Sequence, residues 1–210
     1  MGPLMRNRVA IALFALLSAG GHALAAPTAG QVLALFGTSF VESGGNKQPL
    51  QLGSPIAVGD TIEVPAGAKL KLRMIDGSVI SVASGSHLTI ADYKANAAGS
   101  GRDAKLTLGD GLLRAVVTAA AGPSHFEVNT ATGVAAVRST DWFIQATAKF
   151  TQVGVLNGDV DLASAATGKA VLIKPGWGAR VFRGLDPVPP RKWMQYEFDD
   201  VIHRTEVGGP

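Results

Sequence analysis

A Gly-Asp pair occurs at Gly59-Asp60, Gly109-Asp110 and Gly158-Asp159, a spacing of about 50 residues each time. β-Prone residues follow each pair within three positions, at 61–64, 112–117 and 160–162. A turn signal repeated in register before short strands points to one supersecondary unit used several times. Such a chain is more often a scaffold or recognition surface than an enzyme built round one pocket. The rest of the sequence agrees. With 26 glycines and 11 prolines among 210 residues, the stretch 30–182 lacks the apolar periodicity of a helix. It reads instead as short strands between glycine-rich turns, from 31–36 through 69–74, 112–117 and 142–146 to 179–183. We expect an all-β domain of short antiparallel strands and hairpins, stacked as a β-solenoid-like or sandwich-like body, with a short C-terminal helix.

Parity tests two hairpins. Leu70, Leu72 and Met74 alternate before Asp76-Gly77, and Ile80 and Val82 alternate after it. A two-residue Asp-Gly loop would pair Met74 with Val79 and turn Ile80 away from Leu72. A three-residue loop, Ile75-Asp76-Gly77 with Gly77 left-handed, pairs Leu72 with Ile80 and Leu70 with Val82, so the apolar residues share one face. At Asn157-Gly158 a two-residue turn already sets Val155 against Val160 and Val153 against Leu162. Residues 95–102, with Gly99-Ser100-Gly101 at their centre, read as a flexible surface loop, and 119–124 as a break with room for a short helical turn.

The ends of the chain differ from its middle. Arg6 and Arg8, the apolar run 9–17 and Ala23-Leu24-Ala25 have the form of a secretory signal peptide, with cleavage near Ala25-Ala26. The run is too short to span a bilayer, and no later segment approaches the required length, so no transmembrane segment is expected in the mature chain. The leader carries two of the 19 basic residues, leaving 17 against 16 acidic ones. The basic precursor is therefore no sign of nucleic-acid binding, which needs a clustered basic face. An exported chain with no cysteine must be held by its core, and about 185 residues suffice for one. The β domain is expected to occupy 26–185. Pro187, Pro189 and Pro190 then end it, and 186–210 form a linker and a short amphipathic helix at 191–204. Met194, Phe198, Val201 and Ile202 lie on one stripe of that helix, with Trp193 and Tyr196 beside it. Trp193, Tyr196 and Phe198 are candidates either to cap the β stack or to dock on a partner.

Catalytic and metal chemistry find little support. His87, His125 and His203 are far apart, without the three or four ligands zinc needs. Single aspartates about 50 residues apart do not supply the six or more oxygens of calcium unless coils bring them together, and turn-holding is the better reading of Asp60, Asp110 and Asp159. Ser139-Thr140-Asp141 with His125 lacks any nucleophile elbow. We predict no enzyme activity and no cofactor. Arg138 has two readings: directed inward it requires a partner, Asp141 or Glu127, and directed outward it is an ordinary surface arginine.

The run Val137-Arg138-Ser139-Thr140-Asp141-Trp142-Phe143 resembles the signature of the FecR domain family, exported domains of bacterial envelopes. Gly30-Gln31-Val32, the segment from Ile56 to Ile62, Met74-Ile75-Asp76-Gly77-Ser78, Leu106-Thr107-Leu108-Gly109 and Asn157-Gly158-Asp159-Val160 resemble its other fragments in the same order. The likeness runs from about Gly30 to Ile173. It implies structural roles for the motif residues Gly59, Asp60, Asp76, Gly77, Ser78, Gly109, Arg138, Thr140, Phe143 and Gly158. Ser139 stands where the family has glycine, and Trp142 adds bulk beside Phe143. The family's regulators carry a cytoplasmic anti-sigma segment and a membrane helix where this chain has a leader, so that cytoplasmic activity is not carried over. The resemblance implies a non-catalytic, periplasmic or secreted protein-binding module of the Gram-negative envelope, in a signalling setting. The alternative is a structural or cell-wall module that contacts peptidoglycan or exopolysaccharide.

Overall fold

A computed structural model of the protein describes residues 26–95 and 101–207. The proposed leader, 1–25, and the centre of the proposed flexible loop, 96–100, lie outside the described residues. Two nine-stranded sheets are present. Sheet A holds β1 (Thr28–Phe36), β4 (Pro55–Ala57), β6 (Lys69–Met74), β7 (Val79–Val82), β10 (Gly111–Val117), β13 (Thr140–Ala146), β14 (Phe150–Asn157), β17 (Trp177–Phe182) and β18 (Arg191–Lys192). Sheet B holds β2 (Phe40–Ser43), β3 (Asn46–Pro49), β5 (Thr61–Val64), β8 (Ser86–Ala95), β9 (Arg102–Leu108), β11 (Ser124–Asn129), β12 (Gly133–Val137), β15 (Val160–Ser164) and β16 (Ala170–Ile173). The helix α1 spans Gln195–Thr205.

Both sheets fill almost in chain order, β4-β1-β6-β7-β10-β13-β14-β17-β18 in one and β3-β2-β5-β8-β9-β11-β12-β15-β16 in the other. The chain makes a strand or a hairpin in one sheet, crosses to the other, and returns one place further along. Among the described residues every strand pairing is antiparallel except β9 with β11. Those two are parallel because β10, which joins them, lies in the opposite sheet. The domain is thus a sandwich that grows layer by layer as a solenoid does. Alternation along each strand supplies the core: Leu70, Leu72 and Met74 of sheet A and Ala104, Leu106 and Leu108 of sheet B belong to one continuous buried cluster.

The hairpin at Gly77 has the three-residue loop that parity requires. Leu70 pairs with Val82 and Leu72 with Ile80, and Gly77 is left-handed at φ 84°. The hairpin at Asn157-Gly158 is not formed. β14 and β15 lie in different sheets, and the turn is a corner between them. Val153, Val155, Val160 and Leu162 do all face the core, and a corner preserves inward parity just as a tight hairpin does. The other two Gly-Asp pairs are corners as well, between β4 and β5 and between β9 and β10. The repeated signal therefore marks crossings between sheets. Asp60 holds its corner by accepting the Ala57 N–H at 2.8 Å on its carboxylate.

The short, polar or proline-bearing strands β3, β4 and β18 carry no apolar alternation and were not expected. The segment 119–124 forms no helical turn. The C-terminal helix starts later than expected, because Arg191 and Lys192 pair with β17 first. Met194 is its N-cap and is exposed, so the buried stripe is Phe198, Val201 and Thr205.

The corners differ in their tolerance. A Cβ at Gly59 (φ 92°) would meet nothing within 4 Å, whereas at Gly158 (φ 80°) it would lie 2.4 Å from the Ser139 carbonyl oxygen. Gly59→Ala is expected to cost about 1–2 kcal/mol from backbone strain alone, and Gly158→Ala at least ~2 kcal/mol more through overpacking. Urea denaturation of the two variants checks the order, and equal losses would contradict it.

Candidate functional site

Arg102 opens β9 at an inward-facing position, in line with Ala104, Leu106 and Leu108. Its side chain is 1 % exposed, and that of its ion-pair partner Asp76 is 4 % exposed. Burial of a guanidinium demands compensation. Five acceptors from four segments meet its two terminal nitrogens, while Nε has no hydrogen-bond partner among the described residues. Nη1 donates to the Asp76 carboxylate and to Ser78 Oγ at 3.1 Å. Nη2 donates to the carbonyls of Thr118 and Arg138, each at 2.9 Å, and to Ser124 Oγ at 2.8 Å. Asp76 also accepts from the Tyr93 hydroxyl at 2.8 Å, and from the Ser78 hydroxyl and N–H at 2.8 and 3.0 Å. The Phe126 ring lies below the guanidinium, 5.8 Å from centroid to Cζ. Burial is the largest influence on the Asp76 carboxyl and opposes ionisation. The hydrogen bonds from Arg102, Ser78 and Tyr93 together outweigh it and hold the group below the usual aspartate range. Burial, with the charge of Asp76, pushes the Tyr93 hydroxyl well above its ordinary value. The cluster pins the β6–β7 turn of sheet A to β9, β11 and the end of β12 in sheet B.

A second construction lies on the outer face of sheet A. Trp193 rests flat on Gly154 and Gly178, paired residues of β14 and β17. A Cβ at Gly178 would fall 2.0 Å from the indole Nε1, and one at Gly154 2.6 Å from Cζ3. The Phe198 ring lies tilted against both neighbours, its centroid 5.1 Å from that of Trp193 and 6.5 Å from that of Phe143. With Val201, Leu112 and Ala83 these rings form a separate buried cluster beneath α1. At the far end of the helix, Lys69 of β6 donates to the carbonyls of His203 (2.7 Å) and Glu206 (3.1 Å). A cation thereby meets the negative end of the helix dipole. Arg114 lies over Phe143 and grips Asp141 through two bonds of 2.8 and 2.7 Å.

The residues singled out from the sequence therefore fall into separate places. Asp76, Gly77 and Ser78 come together with the Arg138 backbone around Arg102. The Arg138 side chain is exposed, and the two carboxylates proposed for it are engaged elsewhere, Asp141 by Arg114 and Glu127 beside His125. Gly59, Asp60, Gly109 and Gly158 lie at corners, and Thr140 Oγ1 donates to the Asp159 carbonyl at 3.3 Å. Trp142 faces the core, while its neighbour Phe143 faces outward beneath the helix. Trp193 and Phe198 are buried on the chain's own sheet, and Tyr196 is 69 % exposed. Arg102, Tyr93 and Arg114 were missed. The signal for Arg102 was its parity with the inward residues of 104–108, hidden by assigning it to the loop. Among the described residues no group of histidines and carboxylates is arranged to hold a metal ion.

The FecR protein family model matches residues 60–161, a narrower span than the sequence likeness suggested. Residues 60–161 are thus similar to a FecR domain. Two crystal structures of a candidate anti-sigma factor from Parabacteroides distasonis, at 1.65 and 2.50 Å resolution, share the fold. Each has a TM-score of 0.54 and 15 % identity, over 66 % of this chain and 62 % of theirs. The chain thus spans less than two thirds of the length of those proteins. Curated protein sequences give no match. Within the matched span the Asp-Gly-Ser fragment acts as one half of the buried ion-pair cluster.

Three outcomes follow from this geometry. Arg102→Met leaves Asp76 buried and unpaired and is expected to cost about 3–5 kcal/mol, with partial recovery in Arg102→Met/Asp76→Asn. Because the Asp76 pKa is lowered on folding, its contribution is fully present above the unfolded value of about 3.9 and disappears as pH falls through the lower folded value. Asp76→Asn should therefore flatten the acid limb of the stability–pH curve, and an unchanged limb would contradict this. Trp193→Ala is expected to cost about 3 kcal/mol, whereas Tyr196→Ala stays within about 0.5 kcal/mol. Thermal melts of both read out the difference.

Proposed function

We propose that the protein is a non-catalytic signalling module of the bacterial envelope, exported by its leader and acting by contact with a protein partner. FecR proteins are envelope-associated regulators, and the structural neighbours from Parabacteroides distasonis are candidate anti-sigma factors. The observation that carries the reading is where the family's motif residues go. Asp76 and Ser78 are used up inside the Arg102 cluster, Gly59 and Gly158 form corners, and Phe143 is sealed beneath α1. These residues build the frame, and recognition is left to the surfaces of the sheets and the tail. No helix among the described residues is long and apolar enough to cross a membrane. The comparisons lend no support to a cell-wall ligand.

The test is affinity capture from a periplasmic extract with the leaderless protein as bait. We expect recovery of one defined envelope protein in stoichiometric amount. Sedimentation with purified peptidoglycan, without any such protein, would overturn the reading.

A further inference from the structure

Beside the Trp193 platform, β14 and β17 set Gln152 opposite Arg180 and Phe150 opposite Phe182 on the outer face of sheet A. The Arg180 guanidinium lies 4.6 Å from the centroid of Phe150 and 5.7 Å from that of Phe182. Its Nε and Nη2 both donate to one oxygen, Gln152 Oε1, the former at 2.9 Å. A guanidinium has five N–H donors in a planar fork. Three thus remain without a protein acceptor among the described residues. No carboxylate there neutralises Arg180, because Glu197 is taken by Arg191 and Asp186 by Lys169. Arg180 is therefore fixed in place but incompletely partnered.

The same residue lines a shallow pocket of about 230 Å³, together with Gln152, Gly178, Phe182, Pro189 and Trp193. The Trp193 wall is held by its glycine seat and by the helix behind it. The surroundings are basic as well. Between residues 146 and 193 seven lysines and arginines stand against three aspartates, although the whole chain without its leader is nearly balanced.

We propose that this pocket receives a carboxylate of a protein partner, an aspartate or glutamate side chain with an apolar neighbour. The carboxylate would take the free donors of Arg180, and the neighbour would pack on the exposed Val188 and Pro189 beside the edge of Trp193. A planar guanidinium held against two rings suits a planar, singly charged anion, and a fork of donors binds it through two bonds. Charge complementarity selects the partner, and the rings and Gln152 remove most of the ordering cost before it arrives. The proposal rests on the protein-binding reading and names the chemistry of that contact.

Calorimetric titration of the leaderless protein with acetyl-Phe-Asp-Leu-amide, and with its Phe-Asn-Leu counterpart, tests it. The aspartyl peptide should bind with a dissociation constant below about 1 mM, weaken with salt, and perturb tryptophan fluorescence. The asparaginyl peptide, and the aspartyl peptide on Arg180→Gln, should each bind at least about tenfold more weakly. Arg180→Lys should lie between, and both variants should melt within a few degrees of the parent. Equal binding of the two peptides, no binding by the parent, or Arg180-dependent binding of oligogalacturonate alone would overturn the proposal. If Arg180→Gln still captures the same envelope protein with unchanged affinity, the pocket fails while the protein-binding reading stands. Peptide binding without any captured protein would give the reverse result.

Discussion

A guanidinium closed off from water dictates where the surrounding backbone can go. Arg102 offers donors in a rigid fork, and the protein must meet them with the Asp76 carboxylate, the Ser78 and Ser124 hydroxyls and the carbonyls of Thr118 and Arg138. Those acceptors come from both sheets. Displacing one of them exposes the others to an under-compensated charge, so the turns at this end of the sandwich are set together. An apolar core alone would tolerate small slips between the sheets, because dispersion and burial are not directional. The ion pair does not tolerate them. Whatever it costs in desolvation, it fixes the register of one sheet against the other.

The strands were legible wherever alternation ran for five residues or more, as in β6, β9 and β10. At Leu70, Leu72, Ile80 and Val82 parity fixed even the loop length. It failed at Val155 and Val160 for a physical reason: inward parity is the same whether the chain doubles back within a sheet or turns a corner into the next. Only the neighbours decide, and these lie far away in sequence. The seat of Trp193 was hidden for a related reason. Gly154 and Gly178 look like ordinary strand glycines until the pairing of β14 with β17 brings them side by side. Arg102 was the more avoidable omission, since it keeps step with Ala104, Leu106 and Leu108.

The outer faces of the two sheets are built for different ends. On sheet B, Asp92, Lys105 and Glu127 lie in one rank across β8, β9 and β11, and Lys94, Asp103 and His125 in the next. Opposite charges thus face one another on a wetted surface. Sheet A instead offers Leu112, Phe143 and Leu156, which the chain covers with its own helix. Beyond that cover the polarity changes, to the glutamine, arginine and proline of the pocket beside Trp193.

A sandwich that fills in chain order is nearly one-dimensional. Each layer leans on the one before it, and such stacks fray from their ends. The path from Trp193 on β17 to the carbonyls held by Lys69 of β6 runs back over the layers between. It links the last layer directly to one laid down near the start. β17 and β18 cannot peel away while that link holds, and the helix cannot lift without loosening both of its ends. Layers that would otherwise behave as semi-independent units are thereby tied together from β6 to β18, and the tail reports the state of that stretch.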